Sequence, residues 1–219
     1  MKKCLLNIYF LLFIFHLSFS QGLIPDSDED WNKIPKIQSD FGFATEIPSK
    51  FSLKEYVPPT MYQQGGTCTG FAVNYYALST IYNINFGITN AKEKFWYSFD
   101  PYFSYSIIKE KNLDTNDINC KDGLKFTDLI AELQNSGAKK TMMPPYDIDC
   151  NENWSKKKLD SIRPYTKPYS LSFPGIFTFN EKNLNINKLK SALYDNKPII
   201  IGVQIKKSLE RYSFGDAGR

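Results

Sequence analysis

Histidine is almost absent from this 219-residue chain: the single one, His16, lies within the first twenty residues. Everything downstream therefore lacks both the usual general base of hydrolytic catalysis and the commonest zinc ligand. Cysteine is sparse too, at Cys4, Cys68, Cys120 and Cys150. Three scattered cysteines beyond the leader, with no histidine beside them, make no closed metal site, so neither a metal nor a cofactor is expected. An excess of charge of one sign is also missing. Setting aside Lys2 and Lys3 leaves 25 of the 27 basic residues against 23 acidic ones, which excludes an electrostatic footprint for nucleic acid. There is no internal repeat and no low-complexity tract. Glycine and proline number 12 each in a chain that is 42% hydrophobic and 23% charged, which excludes collagen-like and disordered classes.

Long apolar runs are confined to the N-terminus. Lys2-Lys3 precede an apolar stretch from Cys4 to Leu17 that only Asn7 and His16 interrupt, and Ser18-Phe19-Ser20 follows with small residues at alternate positions. This is the pattern of a secretory signal peptide over residues 1–20, with the mature chain starting near Gln21. An uncleaved anchor is the alternative, but the run is short and wrongly flanked for a transmembrane helix. The expectation is an exported protein, periplasmic or extracellular, with no membrane attachment after cleavage. Residues 21–50 read as an N-terminal arm in which Asp26, Asp28, Glu29 and Asp30 form a solvated acidic cluster. Residues 51–219 are long enough for one compact domain.

Export changes how the three remaining cysteines are read. An odd number in an oxidising compartment permits one bridge and leaves one thiol. Cys120 and Cys150 flank a single segment and are the more natural pair, which leaves Cys68 free. Around it runs Tyr62-Gln-Gln-Gly-Gly-Thr-Cys-Thr-Gly-Phe-Ala72. Gly65-Gly66 permits a tight turn, and Thr67 is a residue type suited to a helix N-cap. Phe71, Ala72, Tyr75, Leu78, Ile81 and Tyr82 then recur at helical spacing. Cys68 is thus expected in the first turn of a long half-buried helix, where unpaired N–H groups and the dipole lower a thiol's pKa. Those N–H groups, with the amide of Gln63 or Gln64, are candidates for an oxyanion hole. The same residues also fit a glycine-rich turn leading into a core helix with an inert buried cysteine.

The segment resembles the nucleophile region of papain-like cysteine peptidases, nearer to exported bacterial and bleomycin-hydrolase-like members than to the plant enzymes. Further likenesses follow in the family's order. Phe99-Asp-Pro-Tyr-Phe-Ser-Tyr105 resembles a helix start. Cys120-Lys-Asp-Gly123, Gly137 and Pro145-Tyr146 resemble its Cys-x-Gly-Gly stretch, and Asn187–Leu193, Lys197-Pro198 and Ile199–Ile205 resemble its Pro-Val-x-Val strand. The resemblance implies an α+β fold with the N-terminal helical half present and the β-barrel half only begun. It implies a thiol peptidase acting on peptide or protein substrates, with Cys68 as nucleophile and Gln63 or Gln64 in the oxyanion hole. The family's catalytic histidine and orienting asparagine have no counterpart in these residues. The expectation is therefore a domain cut short before the histidine strand and inactive as it stands, or alternatively a non-catalytic secreted peptide-binding relative.

Other features read as structural. Phe95–Tyr105, rich in aromatics, fits a packing core better than a carbohydrate-stacking surface. A helix over 123–135 is expected with Asp122 as cap and Gly137 past its end. Asn183–Tyr194 is expected to pack Ile186, Leu189 and Leu193 against the core, and Ile199–Ile205 reads as a strand buried on both faces. Short extended pieces are expected near 51–57 and 169–179, and Lys156-Lys157-Lys158 reads as solvated. Peptide mapping of the oxidised mature protein is expected to find a Cys120–Cys150 bridge and a free Cys68. Cys68 in a disulfide with either would end its assignment as nucleophile.

Overall fold

A computed structural model of the chain describes residues 23–33, 47–63, 65–112, 120–140 and 186–202. The expected signal peptide of residues 1–20, Gln64, Cys150, the lysines at 156–158, the piece near 169–179 and residues 203–205 of the expected strand lie outside them. Among the described residues the structure is helical, and sheet is limited to two isolated bridges, Leu23 with Leu124 and Phe99 with Lys140. No helix there is long and apolar enough to cross a membrane.

Helix α1 spans Asp28–Lys33. The central helix, α2, begins at Cys68 and runs through three consecutive segments, Cys68–Gly70, Phe71–Leu78 and Ser79–Phe86. Helix α3 is Ala91–Trp96, α4 is Phe103–Lys111, α5 is Phe126–Ser136 and α6 is Ile186–Tyr194. Helix α2 is more deeply placed than its apolar stripe predicts. Phe71, Tyr75, Leu78 and Tyr82 are buried as expected, but so are Val73, Asn74, Ser79, Thr80 and Asn83 on its other faces. A helix covered on several sides needs partners for its polar groups. The Asn74 amide donates to the Asp100 carbonyl and the Ser104 hydroxyl, both at 3.1 Å. Ser79 Oγ accepts the Phe99 N–H at 2.9 Å and donates to the Asn74 carbonyl at 3.2 Å. The middle segment, Phe71–Leu78, is wound as a π-helix, a wider coil whose short occurrences cluster at functional sites. Apolar periodicity cannot reveal it, because the spacing of the buried residues changes little over two turns.

Residues 53–61 lie along α2, held by side chains rather than a ladder. Tyr75 Oη donates to the Pro59 carbonyl at 2.7 Å, Asn83 to the Tyr56 carbonyl at 2.8 Å and Lys94 to the Glu55 carbonyl at 2.6 Å. The extended piece expected at 51–57 is instead interrupted by one 3₁₀ turn at Lys54–Tyr56. The aromatic stretch is core: Phe99, Tyr102, Phe103 and Tyr105 are buried, while Trp96 and Tyr97 remain exposed.

Helix α5 starts three residues later than expected, because Asp122 does not cap it. Its cap comes from the arm: Asp26 accepts the N–H groups of Phe126 and Thr127, each at 3.1 Å, and the Thr127 hydroxyl at 2.5 Å. Asp30 pairs with Lys125 at 2.8 Å. Asp26 and Asp30 are therefore engaged with the start of α5 rather than merely solvated, while Glu29 pairs within α1, with Lys33 at 3.7 Å. Lys125 first, and Ser27 second, hold the Asp30 carboxyl well below the usual carboxylate range. A depressed carboxylate stabilises the fold at pH values above its unfolded pKa of about 3.9, and the contribution is lost as pH falls further. Gly137 ends the helix with φ 76°. In α6, Ile186 is exposed rather than packed, and Leu189 and Leu193 are half-buried. Positions 199–202 have no strand pairing and Ile201 is exposed; the ladder that would bury them is not formed among the described residues.

Two glycines in helical context separate crowding from backbone conformation. A Cβ on Gly70 would stand 2.1 Å from the Pro101 carbonyl oxygen, whereas one on Gly87, at φ 63°, would meet nothing within 4 Å. Gly70→Ala is expected to cost about 3 kcal/mol by overpacking, and Gly87→Ala about 1 kcal/mol through its left-handed backbone. Denaturant midpoints of the two variants check this order; equal losses would contradict the close approach at Pro101.

Candidate functional site

Cys68 is the first residue of α2, half-buried, and its thiol is free. The turn before it is built by glycine. Gly65 takes φ 61°. Gly66 donates its N–H to the Cys120 carbonyl at 2.5 Å, and a Cβ there would lie 2.7 Å from the Lys121 carbonyl oxygen and 2.9 Å from the Gly123 nitrogen. Two backbones approach where no side chain fits between them. Residues 120–124 thus form a floor beneath the head of the cysteine helix. Thr69 fixes the same floor from within the helix, its buried hydroxyl donating to the Leu124 carbonyl at 3.2 Å.

The sulfur lies 4.0 Å from Thr69 Oγ1. Burial pushes the Cys68 thiol up, and the Thr69 hydroxyl and the N–H groups of Thr69 and Cys68 oppose that push without cancelling it. This reverses the expectation of a lowered thiol. The helix terminus does supply N–H groups, but removing the sulfur from water costs the thiolate more than they return. No histidine occurs in the described residues, or anywhere in the sequence beyond His16, to add a compensating positive charge.

Thr67 occupies the N-cap position at φ −95°, ψ 14°, and its side chain does not cap the helix. It is fully buried instead. Gln63 is exposed, and its amide donates to the Gly65 carbonyl at 3.2 Å. It therefore braces the turn, and no contact joins it to the sulfur. Gln64, the other candidate for the oxyanion hole, lies outside the described residues. Cys120, at φ 54°, is disulfide-bonded; Cys150, its expected partner, lies outside the described residues. Among the described residues no three His, Cys, Asp or Glu side chains gather as a metal site.

Sequence reasoning missed two contributors. Thr69, assigned no role from the sequence, places its hydroxyl 4.0 Å from the sulfur. The Leu124 carbonyl was not singled out at all, since a main-chain acceptor leaves no signal in residue identity. No family model matches this chain, and neither a curated protein nor a solved structure is similar to it.

With burial the dominant influence, alkylation of Cys68 by iodoacetamide is expected to keep rising with pH beyond the ordinary thiol value of about 8.5. Rates measured between pH 6 and 10.5 check this. A plateau reached by neutral pH would show a stabilised thiolate and contradict the burial argument.

Proposed function

We propose that the protein is a papain-like thiol protein of the exported compartment that engages peptide or protein chains, with Cys68 as its nucleophile. The observation that carries this reading is the free Cys68 thiol at the first position of a long central helix. There the N–H groups of Cys68 and Thr69 bear on the sulfur. Such groups are suited to receive the oxyanion of a carbonyl under attack by the thiolate. In this reading the sulfur adds to a peptide carbonyl, the C–N bond breaks, and the amine leaves with a proton from a general acid; water then releases the acyl group.

The proton transfers are where this sequence falls short. An expelled amine is a very poor leaving group unless protonated, and general acid–base help is worth about 10²–10⁴-fold. Beyond the leader the sequence contains no histidine, and the upward push on the thiol further reduces the attacking thiolate at neutral pH. The raised thiol favours a second reading, a peptide-binding relative that keeps the thiol-bearing helix without turnover. Both place the same residue at the centre.

The 219-residue chain is expected to alkylate selectively at Cys68 and to show no measurable hydrolysis of fluorogenic peptides. Mass mapping of the alkylated protein and a peptidase assay on wild type and Cys68→Ala check this. Hydrolysis lost in Cys68→Ala would show that another group serves as base. Hydrolysis that survives the substitution would refute the mechanism.

A further inference from the structure

Among the described residues the N-terminal arm bonds to the strip 124–127, which continues the floor beneath Cys68, and its Leu23 side chain also lies beside Gly202. One atom of the strip joins the arm to the cysteine helix. The Leu124 carbonyl accepts the Ile24 N–H from the arm at 3.1 Å and the Thr69 hydroxyl from the cysteine helix at 3.2 Å. A carbonyl oxygen has two lone pairs, so both bonds are made at once. Thr69 in turn stands 4.0 Å from the sulfur. From arm to thiol the chain of contacts has no gap: Ile24, Leu124, Thr69, Cys68.

The arm is attached largely by polar contacts, with Leu23 and Trp31 its half-buried apolar side chains. Helix α1 has no buried residue, Ile24 is exposed and Leu23 half-buried. Its polar attachments to the strip include the Ile24 N–H, the three bonds accepted by Asp26, and the Asp30–Lys125 pair. Elements held by few apolar contacts open at low free-energy cost relative to the core. We propose that residues 23–30 form a releasable clasp that holds strip 124–127 against the head of the Cys68 helix, so that docking of the arm sets the exposure and reactivity of the Cys68 thiol. With the arm docked, the floor is pinned from both sides and the sulfur stays half-buried. With the arm released, Leu124 keeps only its bond to Thr69, the floor relaxes, and water reaches the sulfur. Release therefore raises the reactivity of the thiol. The proposal rests on Cys68 as a reactive thiol and not on peptide hydrolysis.

The test compares the full chain with an Asp26→Ala/Asp30→Ala double variant and with Ile24→Pro, which deletes the one N–H given to Leu124. Hydrogen exchange at the amides of Phe126 and Thr127 reports arm release, and iodoacetamide alkylation at pH 8 reports the thiol. Both variants are expected to lose amide protection and to alkylate at Cys68 roughly three- to tenfold faster, the gain in thiolate fraction when the thiol pKa falls by about half to one pH unit. Should the double variant lose its helical circular dichroism, Ile24→Pro decides. Lost protection with an unchanged or slower alkylation rate would overturn the clasp, as would retained protection in both variants. A wild-type Cys68 that resists alkylation even at pH 10 would instead overturn the functional reading, so the two failures are distinguishable.

Discussion

The close approach of two backbones, at Gly66 and at residues 120–123, governs the rest of the described structure. The Gly66 N–H reaches the Cys120 carbonyl at 2.5 Å, and no Cβ fits beside Lys121 and Gly123. That contact fixes where the turn of residues 65–67 ends and hence where the central helix begins. It also brings Leu124 under Thr69, which orients the first turn of the helix and with it the thiol. A second tight contact one turn on, Gly70 against the Pro101 carbonyl, sets the other side of that turn. Between them the head of α2 is held by main chain on two faces, leaving the sulfur only half covered.

That placement has an electrostatic cost. A thiol at a helix terminus gains from the N–H groups and the dipole, but a thiol recessed between two backbones loses hydration. In this chain the second effect is larger. In enzymes of the proposed kind an imidazolium ordinarily offsets such a loss, and residues 17–219 contain no histidine. The geometry thus places the thiol without activating it. The arm contributes to the same balance, because its bond to Leu124 and the thiol's neighbour Thr69 share one acceptor.

Much of the helical architecture was legible in the sequence. The start of α2 at Cys68 followed from Gly65-Gly66 and the apolar spacing after it, and the end of α5 followed from Gly137. The free thiol at Cys68 followed from the odd number of cysteines beyond residue 20, read with the expectation of export. Caps were less legible. Thr67 is the right residue type in the right place, yet its side chain caps nothing. The true cap of α5 is Asp26, a hundred residues away in sequence, and a local reading cannot find a cap supplied by another segment. The acidic cluster was misread for the same reason, since Asp26 and Asp30 acquire their roles only when the arm meets Lys125 and Thr127. The π-wound segment and the Leu124 carbonyl were out of reach, because both are properties of the main chain. The β half implied by the family resemblance rests on residues mostly outside those described, and positions 199–202 show no strand pairing.

The central claim is that the Cys68 helix head is a centre that engages peptide chains, and not simply a thiol open to solvent. The most direct measurement is the rate of Cys68 modification by a peptidyl epoxide as a function of its concentration, with iodoacetamide as the unguided reference. A centre that binds the peptide before the sulfur attacks predicts a rate that saturates, and that falls when an unreactive peptide competes. A rate that stays linear with concentration and ignores the competitor, as iodoacetamide's does, would contradict the claim.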